Sequence, residues 1–254
     1  MSGEEVCGES VKGRPGLSGF ILKILACLTM TADHIGAILF PGVIVLRAIG
    51  RVSFPLFAFL SAEGSRYSHR PVIRFLTIAA LGLVCEIVYD VFSGHWYGNI
   101  LLSLAASAGL NILMKEAKTA AAGGNRSRAI VWAAAFAVAV AGVYFFCRYV
   151  GVDYGFAGVM TPVALCLFDF RGLEVPRALA ALDCFAVRLL IFAGCLVWLT
   201  FSSAVPGLQA WCLCALVPVL LYSGRPGKYK LKYAFYAYYP LHLLVIELIS
   251  VIIS

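Results

Sequence analysis

The chain has 254 residues, of which 62% are hydrophobic and 13% are charged. A soluble domain carries about 25% charged residues, so this composition excludes an ordinary soluble domain and indicates a membrane protein with one domain. The formal net charge of +7 does not indicate a nucleic-acid partner, because the basic residues lie in the gaps between apolar runs. We therefore expect the lipid bilayer to surround the chain.

Residues 1–18 are polar and glycine-rich and are predicted to form a flexible cytoplasmic tail. Nine apolar segments follow, each close to the roughly 20 residues that a transmembrane helix needs. The sequence predicts a single all-α transmembrane helix bundle over residues 19–254, with a flexible Ala/Gly-rich loop at 119–124. The predicted helices cover residues 19–40, 44–65, 71–93, 99–115, 127–149, 154–170, 180–202, 205–223 and 231–253.

The basic residues predict the orientation of these helices. Most of the 20 Lys and Arg residues fall in the tail or in every second loop, whereas the opposite loops hold only Arg148. The positive-inside rule then places the N-terminus in the cytoplasm and the C-terminus outside. We expect a multi-pass protein of a bacterial-type inner membrane.

Ionisable residues within the first two helices are candidate functional residues, because each costs about 2.5 to 3.5 kcal/mol at mid-helix. Asp33 and His34 lie in the outer half of the first helix, and Arg47 and Arg51 share a face in the outer half of the second. A carboxylate fixes the tautomer of a histidine, and an arginine binds a carbonyl or phosphate. These are the parts of a general base with an electrostatic partner. The alternative is a structural Asp–Arg pair, with His34 donating to a backbone carbonyl.

Arg47 is a candidate substrate-binding residue, and further candidates lie on two other helices. Glu86 lies near the outer end of the third helix, where it would face Arg47 or Arg51 or form a purely structural pair. Tyr239 and His242 share a face of the last helix, and aromatic packing is the alternative there.

Other polar residues have structural interpretations. Glu63 is predicted to pair with Arg66 and Arg188 with Asp183, while Asn99 would cap the fourth helix. The nine cysteines form no CxxC motif and are interpreted as small buried residues, so no metal site is expected.

Five segments occur in an order that is typical of a known family. They are LKILACLTMTADHIG, LRAIGRVSFPLFAFLSAEG, RFLTIAALGLVCEIVYD, VDYGFAGV and KYAFYAYYPLHLL. From about residue 20 to the C-terminus the sequence resembles the TraX family, the integral-membrane N-acetylases of conjugative F-type pilin. The first-helix histidine, the FPLFAFLSAEG run and the last-helix tyrosine and histidine are more distantly similar to membrane acyltransferases of the acyltransferase-three type.

The resemblance implies acetyl or acyl transfer from acyl-CoA to an amine or hydroxyl acceptor at the membrane. The acceptor would be a pilin-like N-terminus or another envelope component, such as an envelope polymer, and no permanently bound cofactor is expected. His34 would be the base, Asp33 would orient it, and Arg51 would stabilise the oxyanion. The alternatives are a membrane carrier or channel for a small anion or lipid, and a structural membrane subunit.

In the proposed transferase the CoA phosphates would meet basic residues of the cytoplasmic face, namely Arg66, Arg70, Arg74, Lys228 and Lys230.

The loop charges predict a labelling pattern for a cysteine-free variant that carries one new cysteine. A cysteine in the 119–124 stretch should react with a membrane-impermeant thiol reagent only from the cytoplasmic side, and one added after Ser254 should react only from outside. Reaction of both cysteines from the same side would contradict the odd number of spans.

Overall fold

The computed structural model describes residues 15–93, 96, 98–227 and 232–253. Within this part of the chain all the named elements are helices, and each of the nine predicted segments contains helix, which confirms the all-α fold class. The helices are α1 Gly19–Ile38, α2 Ile44–Gly50, α3 Ser53–Tyr67, α4 Pro71–Ser93, α5 Ile100–Ala122, α6 Arg126–Tyr149, α7 Gly155–Leu165, α8 Arg177–Ala180, α9 Phe185–Phe201, α10 Pro206–Gln209, a 3₁₀ helix Ala210–Ala215, α11 Leu216–Leu220 and α12 Lys232–Ile253.

Five helical stretches of the described chain are long and apolar enough to cross a membrane, judged by length and composition. They are Gly19–Ile38, Ile44–Tyr67, Pro71–Val91, Ile100–Ala122 and Arg126–Tyr149. After α6 the apolar helices are shorter, and the apolar part of α12, from Ala237 to Ile253, is also shorter. The count of nine spans and the cytoplasmic N-terminus therefore stay predictions.

The second predicted helix, over 44–65, lies within the candidate span Ile44–Tyr67, but a turn at Arg51 and Val52 divides it into two helices. α2 ends at Gly50, and α3 begins at Ser53. Pro55 explains the break, because in a continuous helix its ring would clash with the carbonyl of Arg51. In the first turn of α3 the missing N–H of Pro55 costs no hydrogen bond.

The predicted loop at 119–124 is mostly helical. Residues 119–122 form the last turn of α5, since alanine is the best helix former. The chain turns only at Gly123 and Gly124, and the φ of +74° at Gly124 favours glycine. α7 ends at Leu165, earlier than the predicted end at residue 170.

The described chain divides into two compact units. The central unit comprises Ser61–Cys195, and the terminal unit combines residues 15–60 with residues 196–253. α3 and α9 contribute residues to both. The prediction of one domain over residues 19–254 stays a prediction.

Glycine allows the close approach of α1 and α2 in the terminal unit. A Cβ at Gly50 would overlap the side chain of Asp33, and a Cβ at Gly36 would overlap the Cβ of Leu46. Ser53, at the start of α3, donates a hydrogen bond to the carbonyl of Ala26 at 3.1 Å. These contacts fix α1 against the junction of α2 and α3.

Gly50→Ala is expected to destabilise the protein by about 1–3 kcal/mol, because the added methyl group overpacks this contact. Gly142→Ala in α6 is the matched control, since a Cβ there meets nothing within 4 Å, and it should be neutral or stabilise the helix by about 0.5–1 kcal/mol. Thermal unfolding in detergent measures both variants. Equal stability of Gly50→Ala and the wild type would contradict the close approach.

Candidate active site

Asp33 on α1 forms ion pairs with two arginines that flank the end of α2. Arg51 Nη2 lies 2.6 Å from Oδ1 and 2.7 Å from Oδ2, and Arg47 Nη1 lies 2.8 Å from Oδ2. The side chains of Asp33 and Arg51 are only 14% and 13% exposed. The contact between Asp33 and Arg51 that the helix spacing predicted is therefore present, and the three charges sum to +1.

Arg51 makes two further contacts that hold its guanidinium in place. Its Nε donates to the carbonyl of Arg47 at 3.4 Å, and its Nη1 donates to Oε1 of Gln209 at 3.5 Å. Gln209 is the last residue of α10 and is 3% exposed. Arg51 therefore links α1, α2 and α10 within the terminal unit.

His34 bonds to the backbone of its own helix and to the histidine of the last helix. Its Nδ1 lies 2.9 Å from the carbonyl oxygen of Met30 and 3.1 Å from Nε2 of His242. Because a carbonyl only accepts, Nδ1 of His34 carries the proton. His242 Nδ1 donates to the carbonyl of Tyr238 at 2.9 Å, so its Nε2 accepts from the N–H of His34 Nδ1, which is shared between Met30 and His242. These partners leave Nε2 of His34 as the nitrogen with a lone pair.

Aromatic and hydroxyl groups hold the ring of His242. The ring of Tyr238 stacks on it at 5.2 Å with an interplanar angle of 6°, and Tyr239 meets it edge-on at 5.8 Å. The hydroxyl oxygens of Tyr238 and Thr31 lie 2.5 Å apart. Thr31 Oγ1 donates to the carbonyl of Cys27 at 3.0 Å, so it accepts from Tyr238. Thr31 is not among the residues predicted from the sequence, although its position three residues before His34 places both on one face of α1.

Glu86, which was predicted to bind substrate, lies in the central unit in structural contacts. It is fully buried, and its carboxylate accepts hydrogen bonds from the backbone N–H groups of Gly98 and Asn99 at 2.8 and 2.9 Å. Asn99 also donates to it through Nδ2 at 2.8 Å. Asn99 caps α5 by accepting from the N–H of Leu101, which confirms the predicted cap. These contacts match the structural alternative for Glu86.

The predicted phosphate-binding arginines differ in their exposure. Arg66 has a side chain that is 4% exposed, and Arg74 donates to Oγ of Ser65 at 2.7 Å and to the carbonyl of Ser61 at 2.9 Å. Arg70 is exposed, so it is the most accessible of these three arginines. Lys228 and Lys230 lie outside the described residues.

The ion pairs at the start of α9 match the prediction only in part. Glu63 pairs with Arg188 at 2.5 Å, and Arg66 pairs with Asp183 at 2.7 Å. The predicted pair of Glu63 and Arg66 is also present, at the longer distance of 3.9 Å. Each of these two side chains thus makes its shorter ion pair with the segment that begins α9.

Asp169, in the loop after α7, belongs to the same network of charges. Its carboxylate lies 2.8 Å from Nε of Arg171 and 3.8 Å from Nη2 of Arg66. Burial alone would raise the pKa of Asp169, but the hydrogen bonds from Arg171 and the charge of Arg66 outweigh it, so this pKa lies below its ordinary value. The carboxylate is therefore held in its charged form beside the two arginines.

A family model described as TraX protein matches residues 18–250. The chain belongs to the TraX family. Together with the long apolar helices, this makes it a TraX family membrane protein. The match runs from α1 to α12, so it includes both the Asp33–Arg51 and the His34–His242 contacts.

A curated relative of this TraX family chain is the protein named "Uncharacterized protein RP591" of Rickettsia prowazekii (strain Madrid E). The two are 35% identical over 85 residues, which is 33% of this chain and 32% of the relative. The chain thus matches about a third of the length of that protein. No solved structure matches the chain.

The charges of the Asp33 cluster predict a graded response to substitution. Asp33→Asn removes the carboxylate that both arginines share, and breaking such a buried pair costs about 3–5 kcal/mol. Arg47→Gln should cost at most about 1 kcal/mol, because the Arg47 side chain is 30% exposed and water screens its charge. Asp33→Asn combined with Arg51→Gln should recover part of the loss. Membrane abundance and thermal unfolding measure these variants, and equal losses without recovery would contradict the pairing.

Proposed function

We propose that this TraX family protein is an integral-membrane acyltransferase. It moves an acetyl or other acyl group from acyl-CoA to an amine or hydroxyl acceptor at the membrane. The observation that carries the proposal is the His34–His242 pair, which leaves one imidazole nitrogen with a lone pair on the residue that follows Asp33 and its two arginines. Membership of the TraX family supports the same chemistry.

His34 acts as the general base of the proposed reaction. Its Nε2 takes the proton from the acceptor N–H or O–H group while the acceptor atom attacks the carbonyl carbon of the thioester. A C–N or C–O bond forms, and the carbonyl oxygen becomes an oxyanion. The C–S bond then breaks, and the CoA thiolate takes the proton from His34 and leaves as the thiol. His34 returns to its starting state.

His242 takes the orienting role that was predicted for Asp33. Once Nε2 of His34 accepts a proton, the ring is an imidazolium and its Nδ1–H bond to Nε2 of His242 becomes charge-assisted and stronger. Tyr238 and Tyr239 hold the ring of His242 in position for this bond. Asp33 acts instead on the arginines, which it keeps fixed beside the base.

The positive charge next to His34 favours the transition state. Asp33 carries one negative charge against the two positive charges of Arg47 and Arg51. A fixed excess of positive charge stabilises an oxyanion as it forms, and it needs no reorganisation during the reaction. A site built only to hold two helices together has no need of the second arginine.

The protein would work as a multi-pass protein of a bacterial-type inner membrane, with nine spans and a cytoplasmic N-terminus. Acyl-CoA would approach from the cytoplasmic side, where Arg70 is exposed. Lys228 and Lys230, which would also meet the CoA phosphates, lie outside the described residues. The acceptor would be a pilin-like N-terminus or another envelope component.

His34→Gln tests this function most directly. Glutamine keeps a polar side chain but accepts no full proton at neutral pH, and a general base contributes about 100- to 10,000-fold, so acyl transfer should fall by that factor. Transfer is measured as the incorporation of the acetyl label of radioactive acetyl-CoA into membrane components. Membrane abundance and acetyl-CoA binding should stay as in the wild type. His69→Gln is the matched control, because His69 is an exposed histidine, and it should transfer normally.

His242→Gln separates the orienting role from the role of the base. Its amide oxygen still accepts from His34 Nδ1, so transfer should fall less than in His34→Gln. Wild-type transfer by an abundant His34→Gln protein would contradict the proposed function.

A further inference from the structure

Gln209 is a buried amide of which only one half has a strong partner. Its Oε1 accepts from Arg51 Nη1, whereas its Nε2 is buried and has no oxygen or nitrogen acceptor among the described residues. The contact it makes there is a weak hydrogen bond with the Cys212 thiol, because sulfur is a weak acceptor and this sulfur already contacts Thr200 Oγ1 and the carbonyl of Leu196. A buried donor is stabilised more by an oxygen acceptor than by a thiol, and a bound molecule would supply that oxygen.

Arg51 fixes the direction of this donor. A guanidinium only donates hydrogen bonds, so the amide oxygen of Gln209 must face it, and a flipped amide would oppose donor to donor. Asp33 in turn fixes Arg51 with two hydrogen bonds. Nε2 is therefore held in place by a chain of contacts that starts one residue before His34.

Arg51 itself is poorly placed to bind a substrate oxygen. Its Nε donates to the carbonyl of Arg47, its Nη2 donates to both oxygens of Asp33, and its Nη1 donates to Gln209. Most of the N–H groups of Arg51 are therefore already engaged within the protein. The neutral amide beyond Arg51 gives up only a weak contact with a thiol when it binds an oxygen.

We infer that Gln209 Nε2 donates the hydrogen bond that binds the carbonyl oxygen of an acyl thioester in the terminal unit. The inference rests on the proposed function and deepens it, because it names the residue that meets the oxyanion. The carbonyl electron pair moves to oxygen when the acceptor attacks and returns when the C–S bond breaks. Gln209 only donates a hydrogen bond and transfers no proton. Arg51 is then a positioning residue for Gln209.

Two substitutions separate this role from simple support of Arg51. Gln209→Glu keeps an oxygen for Arg51, but it removes the donor and puts a negative charge where the oxyanion forms. Gln209→Met has a similar length and removes both groups. If Gln209 only supported Arg51, Gln209→Glu would keep wild-type activity and Gln209→Met would lose it. The inference predicts that both lose about 100- to 1,000-fold in kcat, as for the loss of an oxyanion donor, with little change in KM.

A second measurement reports the contact without any turnover. Acetyl-CoA with ¹³C at the thioester carbonyl is bound to the purified full chain, and its carbonyl stretch is recorded by infrared difference spectroscopy. A hydrogen bond from Gln209 should shift the band to lower frequency in the wild type, and Gln209→Glu should abolish the shift. Asn111→Asp is the matched control, because it also converts a buried amide to a carboxyl group but lies on α5 in the central unit. It should keep the shift.

The outcomes distinguish the inference from the function on which it rests. A wild-type band shift that Gln209→Glu abolishes, without acetyl transfer by the wild type, supports the contact and contradicts the proposed function. Wild-type turnover and band shift in Gln209→Glu overturn the inference and leave the proposed function standing. If Gln209→Met fails to accumulate, Gln209→Glu decides the question, because its contact with Arg51 is kept.

Discussion

The bond between the Asp33 carboxylate and two arginines is the interaction on which the terminal unit depends. It joins α1 to the end of α2, and Arg51 extends the connection to Gln209 of α10. The glycine at position 50 gives the carboxylate room to reach Arg51. Because a charge that is buried without its partner costs several kcal/mol, the cluster fixes these elements in one arrangement. The fixed arrangement holds the two arginines and the Gln209 amide in place around Asp33, the residue before the proposed base.

Adjacent residues of α1 perform separate tasks in this account. Neighbours in a helix do not face each other, so Asp33 turns to the arginines while His34 turns to His242 of α12. The division gives the site an acid–base part and an electrostatic part. In the acid–base part His34 bonds to the backbone carbonyl of Met30, and in the electrostatic part Arg51 bonds to the backbone carbonyl of Arg47.

The helix positions and the Asp33–Arg51 contact follow from the sequence, because they depend on apolar length and on helical spacing. The break between α2 and α3 is also indicated in the sequence, by Pro55, although apolar residues continue on both sides of the break. The partners of Arg66 and Arg188 do not follow from the sequence, since several carboxylates compete for each arginine and only the packed structure selects one. Gln209 is a single neutral residue in an apolar run, and nothing in its neighbourhood in the sequence indicates that it meets an arginine.

The central claim is that this TraX family membrane protein transfers an acyl group to a component of the envelope. Comparative mass spectrometry of membrane proteins and envelope polymers tests it most directly, in cells that make the wild-type chain and in cells that lack it. The account predicts an acyl adduct on at least one component only when the wild-type chain is present, and the adduct should carry the label of isotopically labelled acetyl-CoA. Identical adducts in both kinds of cell would contradict it.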